Sequence, residues 1–169
     1  MKFLHKMKGG AALPPRASTF QMLAGLLGGL LSISIVAILT EMQHVPLLMA
    51  PLGATCVLLF AAPDAPLSQP RNVIGGHLLS SLVGLVCLKF VGTGPVEMGL
   101  AVGVAIVFMQ FTRTLHAPAG ADPLVIMMAG TATWSFLLTP VLISCLILVM
   151  LALIINNSGA GRTWPRYWF

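Results

Sequence analysis

Apolar residues run almost unbroken along this chain, and the few charged positions divide them into uncharged stretches at 17–40, 42–63, 72–88, 98–112 and 123–161. Several of these reach the roughly 20 apolar residues a helix needs to cross a bilayer. The pattern predicts an all-α, polytopic integral membrane protein. The last stretch is uncharged for 39 positions; as one straight helix it would extend about 58 Å against a hydrocarbon core of about 30 Å, so it must break. Gly130, Thr131, Thr133, Trp134, Thr139 and Pro140 place that break between Thr131 and Pro140, with Pro140 able to open the final span.

The stretch at 42–63 is interrupted in the same way by Pro46 and Pro51, and Thr55 suits the N-cap of a short helix running to Ala62. Comparing the interruptions reveals an internal repeat, APLGAT at 50–55 and APAGAD at 117–122, with Pro51 and Pro118 67 positions apart. The sixth position of each copy, Thr55 or Asp122, is a good N-cap residue, and Pro123 follows at the favoured first helical position. The expected elements are four full transmembrane helices at 18–40, 72–91, 96–115 and 136–155, plus two short half-helices at 55–62 and 123–133. They fall into two repeats, about 18–91 and 96–155, of the kind that transporters with discontinuous helices contain.

Charge adds orientation. Only 8% of the 169 residues are charged while 57% are hydrophobic, and the formal net charge is +5. Lys2, Lys6, Lys8 and Arg16 precede the first span, and Arg162 and Arg166 follow the last, so both termini are expected on the cytoplasmic side. If the half-helices re-enter, seven Lys/Arg lie inside against Arg71 and Arg113 outside. If they cross, eight lie inside and Lys89 alone outside. Both counts satisfy the positive-inside bias, and the re-entrant arrangement is preferred because the segments after Thr55 and Asp122 are too short to cross alone. Residues 1–17 then form a basic cytoplasmic segment, 18–157 the transmembrane domain and 158–169 an interfacial tail, in which Trp164, Tyr167 and Trp168 suit an aromatic belt.

Other classes recede. The first span is too long for a secretory signal and no small-residue cleavage site closes it. Cys56, Cys87 and Cys145 are odd in number and lack ligand spacing, so neither a disulfide framework nor a metal site is expected. The basic residues flank membrane segments, which fits contact with the lipid bilayer and does not describe a nucleic-acid surface. No Walker loop, GxSxG, HExxH or catalytic acid pair is present, so no catalytic residue and no cofactor are assigned. Gly25 and Gly29, then Gly76, Ser80 and Gly84, then Gly99 and Gly103, recur at helical spacing that favours close helix packing, within one chain or in a homo-oligomer.

A helix that begins inside a membrane presents free N–H groups and the positive end of its dipole, which together suit an anion. Gly53, Ala54 and Thr55 in one copy and Gly120, Ala121 and Asp122 in the other would form that site, with Arg71, Asn72, His77, Arg113 and His116 as donors. Plainer roles exist for each: snorkelling for the arginines, interhelical bonding for His77, carbonyl capping for His116, and N-capping for Asp122, the preferred role there. A protonatable Asp122 or His116 would also allow proton entry to accompany anion entry.

At PLGATCVLLFAAPDAPLSQPRNVIGGH (51–77) and RTLHAPAGADP (113–123) the chain resembles the HPP family of integral membrane proteins, named for a His-Pro-Pro motif and described with four transmembrane helices. The resemblance covers about residues 18–157. His116 and Pro118 are the first and third residues of the triplet, Ala117 replaces the middle proline, and Gln69, Pro70, Arg71, Asn72, Gly75, Gly76 and His77 match a second signature. What the resemblance implies is transport, with nitrite associated with members in photosynthetic organisms, and a place in the bacterial inner (plasma) membrane. The expected function is a transporter or channel for a small inorganic anion; a membrane-embedded enzyme using His116 as base, or a structural subunit of a larger complex, are the alternatives.

Overall fold

The computed structural model describes residues 7, 9–159 and 161–168, so Lys2, Lys6 and Lys8 lie outside the described residues. The fold is all-helical, with no strand among the described residues. Helix α1 spans Thr19–Gln43 and starts with a capping box between Ser18 and Gln21. Helix α2, Pro51–Cys56, continues through a wider π turn at Val57–Ala61. Helix α3 spans Pro70–Phe90 and α4 spans Pro95–Phe111. A 3-10 turn at Ala117–Ala121 leads into α5, Asp122–Ala129, and a 3-10 turn at Trp134–Leu137 followed by a π turn at Leu138–Leu142 leads into α6, Ile143–Asn156.

Among the described residues three helices are long and apolar enough to cross a membrane, Thr19–Gln43, Pro70–Phe90 and Trp134–Asn156, and shorter apolar helices occur at Pro51–Ala61, Pro95–Phe111 and Ala117–Ala129. The expected break in the last apolar stretch is present: Gly130 takes the left-handed conformation that ends α5, and residues 131–133 are non-helical before Trp134.

Both expected N-caps are corrected. The first short helix begins at Pro51, four residues before Thr55, and no side chain caps it. Thr55 instead lies one turn inside, with its hydroxyl near the Pro51 carbonyl. In the second copy helical structure begins at Ala117, Asp122 opens α5 from within, and its carboxylate is turned away from its own backbone. Proline, which needs no N–H partner in a first turn, opens both helices and leaves the sixth position free to reach a neighbour.

Contacts fix where each segment sits along the bundle. At one end Gln21, Pro63, Asp64, Asn156, Arg162 and Arg166 surround a common small cavity, and Arg71 reaches the Thr112 carbonyl. At the other, Val45, Pro46, Ala129, Thr133 and Pro140 line one cavity, and Lys89 lies over the Trp134 ring. The segment from Val45 to Asp64 therefore runs from one end to the other beside α1, and the segment from Thr112 to Ala129 does so beside α3. Neither short helix is long enough alone. The non-helical lead-ins at 46–49 and 114–116 rise further per residue than a helix does and supply the remainder.

Core packing divides in two. Val36, Leu52, Leu59, Phe60, Val73, Val141, Cys145 and Leu148 bind α1, α2, α3 and α6 together, while Val83, Cys87, Ala101, Ala105 and Met127 join α3, α4 and α5. The three cysteines are free and buried. Helix α3 belongs to both groups, and its small residues face the second short segment: Ser80 bonds to Ala119, and a Cβ added at Gly84 would meet Pro123 Cα at 2.7 Å. Gly28 gives the Phe60 ring its place against α1, whereas Gly25, Gly29, Gly99 and Gly103 have open space before them.

A Cβ at Gly76 would meet His116 Cβ at 2.7 Å and the Thr114 carbonyl oxygen at 2.9 Å. Gly76→Ala should therefore cost about 1–3 kcal/mol through overpacking, and Gly99→Ala should cost nothing. Thermal unfolding of the two variants in detergent, followed by size-exclusion chromatography, checks this.

Candidate functional site

Breaking a helix inside an apolar medium frees backbone carbonyls, each costly unless a donor reaches it. Here polar side chains of the longer helices and of the loop before α3 supply those donors. On the first break Ser144 donates to Leu47 O at 2.8 Å, Asn156 to Leu59 O at 3.0 Å, and Ser68 to Leu58 O and Ala62 O at 3.0 and 2.7 Å. Gln69 serves Pro63 O and Ala65 O at 2.9 and 3.0 Å. On the second, Arg71 donates to Thr112 O at 2.9 Å, Asn72 to Leu115 O at 2.9 Å and Ser80 to Ala119 O at 2.6 Å.

Four other buried polar residues, Thr55, His77, His116 and Asp122, meet one another. Thr55 Oγ1 lies 2.9 Å from His77 Nε2 and 3.0 Å from His116 Nε2. His77 Nδ1 lies 2.7 Å from Asp122 Oδ2, which Ser81 also approaches at 3.2 Å. His116 Nδ1 donates to the Leu67 carbonyl at 2.7 Å, since a carbonyl can only accept. The two imidazole rings pack edge to face, with centroids 5.0 Å apart. None of the four is more than 1% exposed. His77 sits seven residues into α3, about 10 Å from its start, which places the cluster inside the bundle. The sixth positions of the two repeated motifs, Thr55 and Asp122, are thus joined through a single imidazole.

The other expected site residues lie elsewhere. Arg71 and Asn72 hold the second break from the side, and Asn72 also accepts from the Tyr167 hydroxyl at 3.1 Å. Arg113 is exposed at the end of α4 in the left-handed conformation, with no side-chain hydrogen bond among the described residues. Gly53 and Ala54 are exposed, and Gly120 and Ala121 partly so. Pro51, Ala54 and Leu58 face Pro118, Ala121 and Val125 across an apolar groove of about 540 Å³. The amides at the two starts are not all free: Leu52 and Gly53 donate to Met49 O and Ala50 O, and Ala119 donates to His116 O, each at 3.1 Å.

Ser81 and the Leu67 carbonyl were not legible as partners. Ser81 lies four residues after His77, one turn further on the same face of α3, and that spacing was the available signal. Trp164, expected in an aromatic belt, is buried, and its backbone bonds to Asn157 tie the tail to the end of α6.

Residues 14–165 match the family described as HPP, transmembrane region. The chain belongs to the HPP transmembrane family. This HPP protein is similar to a transmembrane protein of Dictyostelium discoideum, 33% identical over a 180-residue alignment covering 100% of this chain and 58% of the relative. A second transmembrane protein of that organism is 40% identical over 124 residues, covering 69% of this chain and 44% of the relative. The chain spans about half the length of these curated relatives. No solved structure matches it. The HPP motif region, His116 to Pro118, therefore forms the entry to the second short segment, with its histidine on the buried cluster and its proline opening the helix.

Ser80→Ala leaves the Ala119 carbonyl without its donor and should lower stability by about 0.6–1.7 kcal/mol, the range for hydrogen bonds between membrane helices. Thermal unfolding in detergent measures the loss, with Ser34→Ala, whose hydroxyl makes no described bond, as the unaffected comparison.

Proposed function

We propose that this integral membrane protein is a transporter or channel for a small inorganic anion, with nitrite the first to test because the family resemblance implies it. The observation that carries this reading is the convergence of both interrupted segments on one buried cluster of two histidines and an aspartate. Ionisable groups inside a membrane are costly, and they characteristically mark ion or proton pathways. The groove between the two proline-opened helices lies beside this cluster and runs along both breaks, so motion of one break against the other would change access to it. The outward-facing glycines of α1 and α4 suit association with further copies.

We also read the topology as six crossings, grouped as two repeats of long, short and long helices, with both termini cytoplasmic. Arg16, Arg71, Arg113, Arg162 and Arg166 then share the end that receives Lys2, Lys6 and Lys8, and Lys89 alone faces the opposite side, as the positive-inside bias favours.

The enzyme reading draws on one specific feature: Thr55, His77 and Asp122 stand in the order of a nucleophile, base and orienting acid. Transport is favoured because Thr55 Oγ1 already faces both imidazoles and the Pro51 carbonyl, leaving no open side for an electrophilic carbon.

Purified protein in liposomes should pass nitrite faster than protein-free liposomes do, and His77→Ala should cut that flux about tenfold or more, as expected for loss of a buried hydrogen-bonded partner. Absence of flux for every small anion tried, together with labelling of Thr55 by a fluorophosphonate, would favour the enzyme. Membrane-impermeant thiol labelling tests the topology. Six crossings put Asp64→Cys on the side of the termini and Thr93→Cys on the other, whereas re-entrant segments reverse both.

A further inference from the structure

The hydrogen-bonded chain through the cluster has four links: Asp122 Oδ2 to His77 Nδ1, His77 Nε2 to Thr55 Oγ1, Thr55 Oγ1 to His116 Nε2, and His116 Nδ1 to Leu67 O. Each link needs one proton. A threonine hydroxyl brings one and each neutral imidazole brings one, which makes three. The fourth must be added, and it cancels the charge of the Asp122 carboxylate, so filling these four links and neutralising the buried cluster are the same event; the longer approach of Thr55 Oγ1 to Pro51 O at 3.2 Å competes for the same hydroxyl proton.

We propose that Thr55, His77, His116 and Asp122 together form a site for a single exchangeable proton, and that this proton is the coupling ion for transport. The second clause rests on the transporter reading; the first does not. With the proton bound, it lies between Asp122 and His77, either as imidazolium beside carboxylate or as neutral imidazole beside carboxylic acid. In both arrangements His77 Nε2–H donates to Thr55 and the Thr55 hydroxyl donates to His116. Shifting two protons along the chain, from His77 Nε2 to Thr55 Oγ1 and from Thr55 Oγ1 to His116 Nε2, moves the charge from one imidazole to the other without breaking a heavy-atom contact.

With the proton gone, both Nε2 atoms are acceptors and the one hydroxyl proton can serve only one of them. The other imidazole then faces the Thr55 oxygen lone pair to lone pair at about 3 Å, and a carboxylate is left uncompensated where none of the four residues is more than 1% exposed. Asp122 Oδ1 already has no hydrogen-bond partner, so the protein offers nothing further to stabilise that charge. The remaining groups around the cluster are the Ser81 hydroxyl, which donates to Asp122 at 3.2 Å, and the buried thiol of Cys145 on α6. Helix α4 brings no titratable group nearer than Glu97 at its far end. The contact that gives way joins the first short helix to α3 or to the second short segment, and it stands beside the groove between them. Discharge of the proton therefore loosens the same pair of elements whose relative motion would admit an anion.

Two measurements on the full chain test this. In lipid nanodiscs, ¹⁵N-histidine NMR of a His5→Gln, His44→Gln background reads the two cluster rings; at pH 7 a proton is expected on Nε2 of one ring, lost in alkali, and Asp122→Asn, whose amide N–H replaces the exchangeable proton at His77 Nδ1, should keep it at every pH. Bare Nε2 atoms on both rings would overturn the proton site. In liposomes, nitrite uptake corrected for protein-free vesicles should rise about tenfold with acid outside over symmetric pH; Thr55→Ser should keep that acceleration and Thr55→Val should lose it. A protonated Nε2 with flux indifferent to the gradient would overturn the coupling and leave the transporter reading intact. A protonated Nε2 with no flux of nitrite or chloride would overturn transport and leave the proton site standing.

Discussion

The backbone carbonyls released where a helix breaks inside an apolar medium must find donors, and this demand organises the molecule. Water cannot supply them at depth, so side chains do. Ser144 and Asn156 from the last helix, Ser68 and Gln69 from the loop before α3, and Arg71, Asn72 and Ser80 from α3 each reach a carbonyl of a break. Six of the thirteen buried polar residues among the described residues are thereby committed to structure, which explains how so apolar a sequence can carry so much irregular backbone.

The same demand brings the two breaks together. Gly76, Ser80 and Gly84 lie on one face of α3 and let the second segment approach closely. That approach carries His116 and Asp122 to His77, while packing of Phe60 against Gly28 seats the first segment so that Thr55 arrives from the opposite side. Two proline-opened helices, related by a short repeated motif, meet at their sixth residues. The cluster is a consequence of the breaks, and the breaks are stable because donors surround them.

Much of this was legible in the residues. The interruptions at Pro51, Pro118 and residues 130–140, the long apolar helices, the matching places of Thr55 and Asp122 in the repeated motif, and the position of His77 and His116 beside the breaks all follow from spacing and composition. The roles of Thr55 and Asp122 did not follow, because a good capping residue one turn after a proline serves a neighbour when the proline has already begun the helix. Arg71 and Asn72 were assigned to a ligand because side-chain chemistry shows donors without showing which carbonyl needs them. The re-entrant arrangement was preferred on helical rise alone, and the non-helical residues 46–49 and 114–116 lengthen the path of each short segment beyond that count.

A double-mutant cycle between Thr55→Val and Asp122→Asn, read by thermal unfolding in detergent, tests the central claim most directly. The two residues do not touch; they communicate through His77. A coupling of about 0.5–3 kcal/mol is predicted for members of one hydrogen-bonded network, and effects that simply add, within about 0.3–0.5 kcal/mol, would contradict the account.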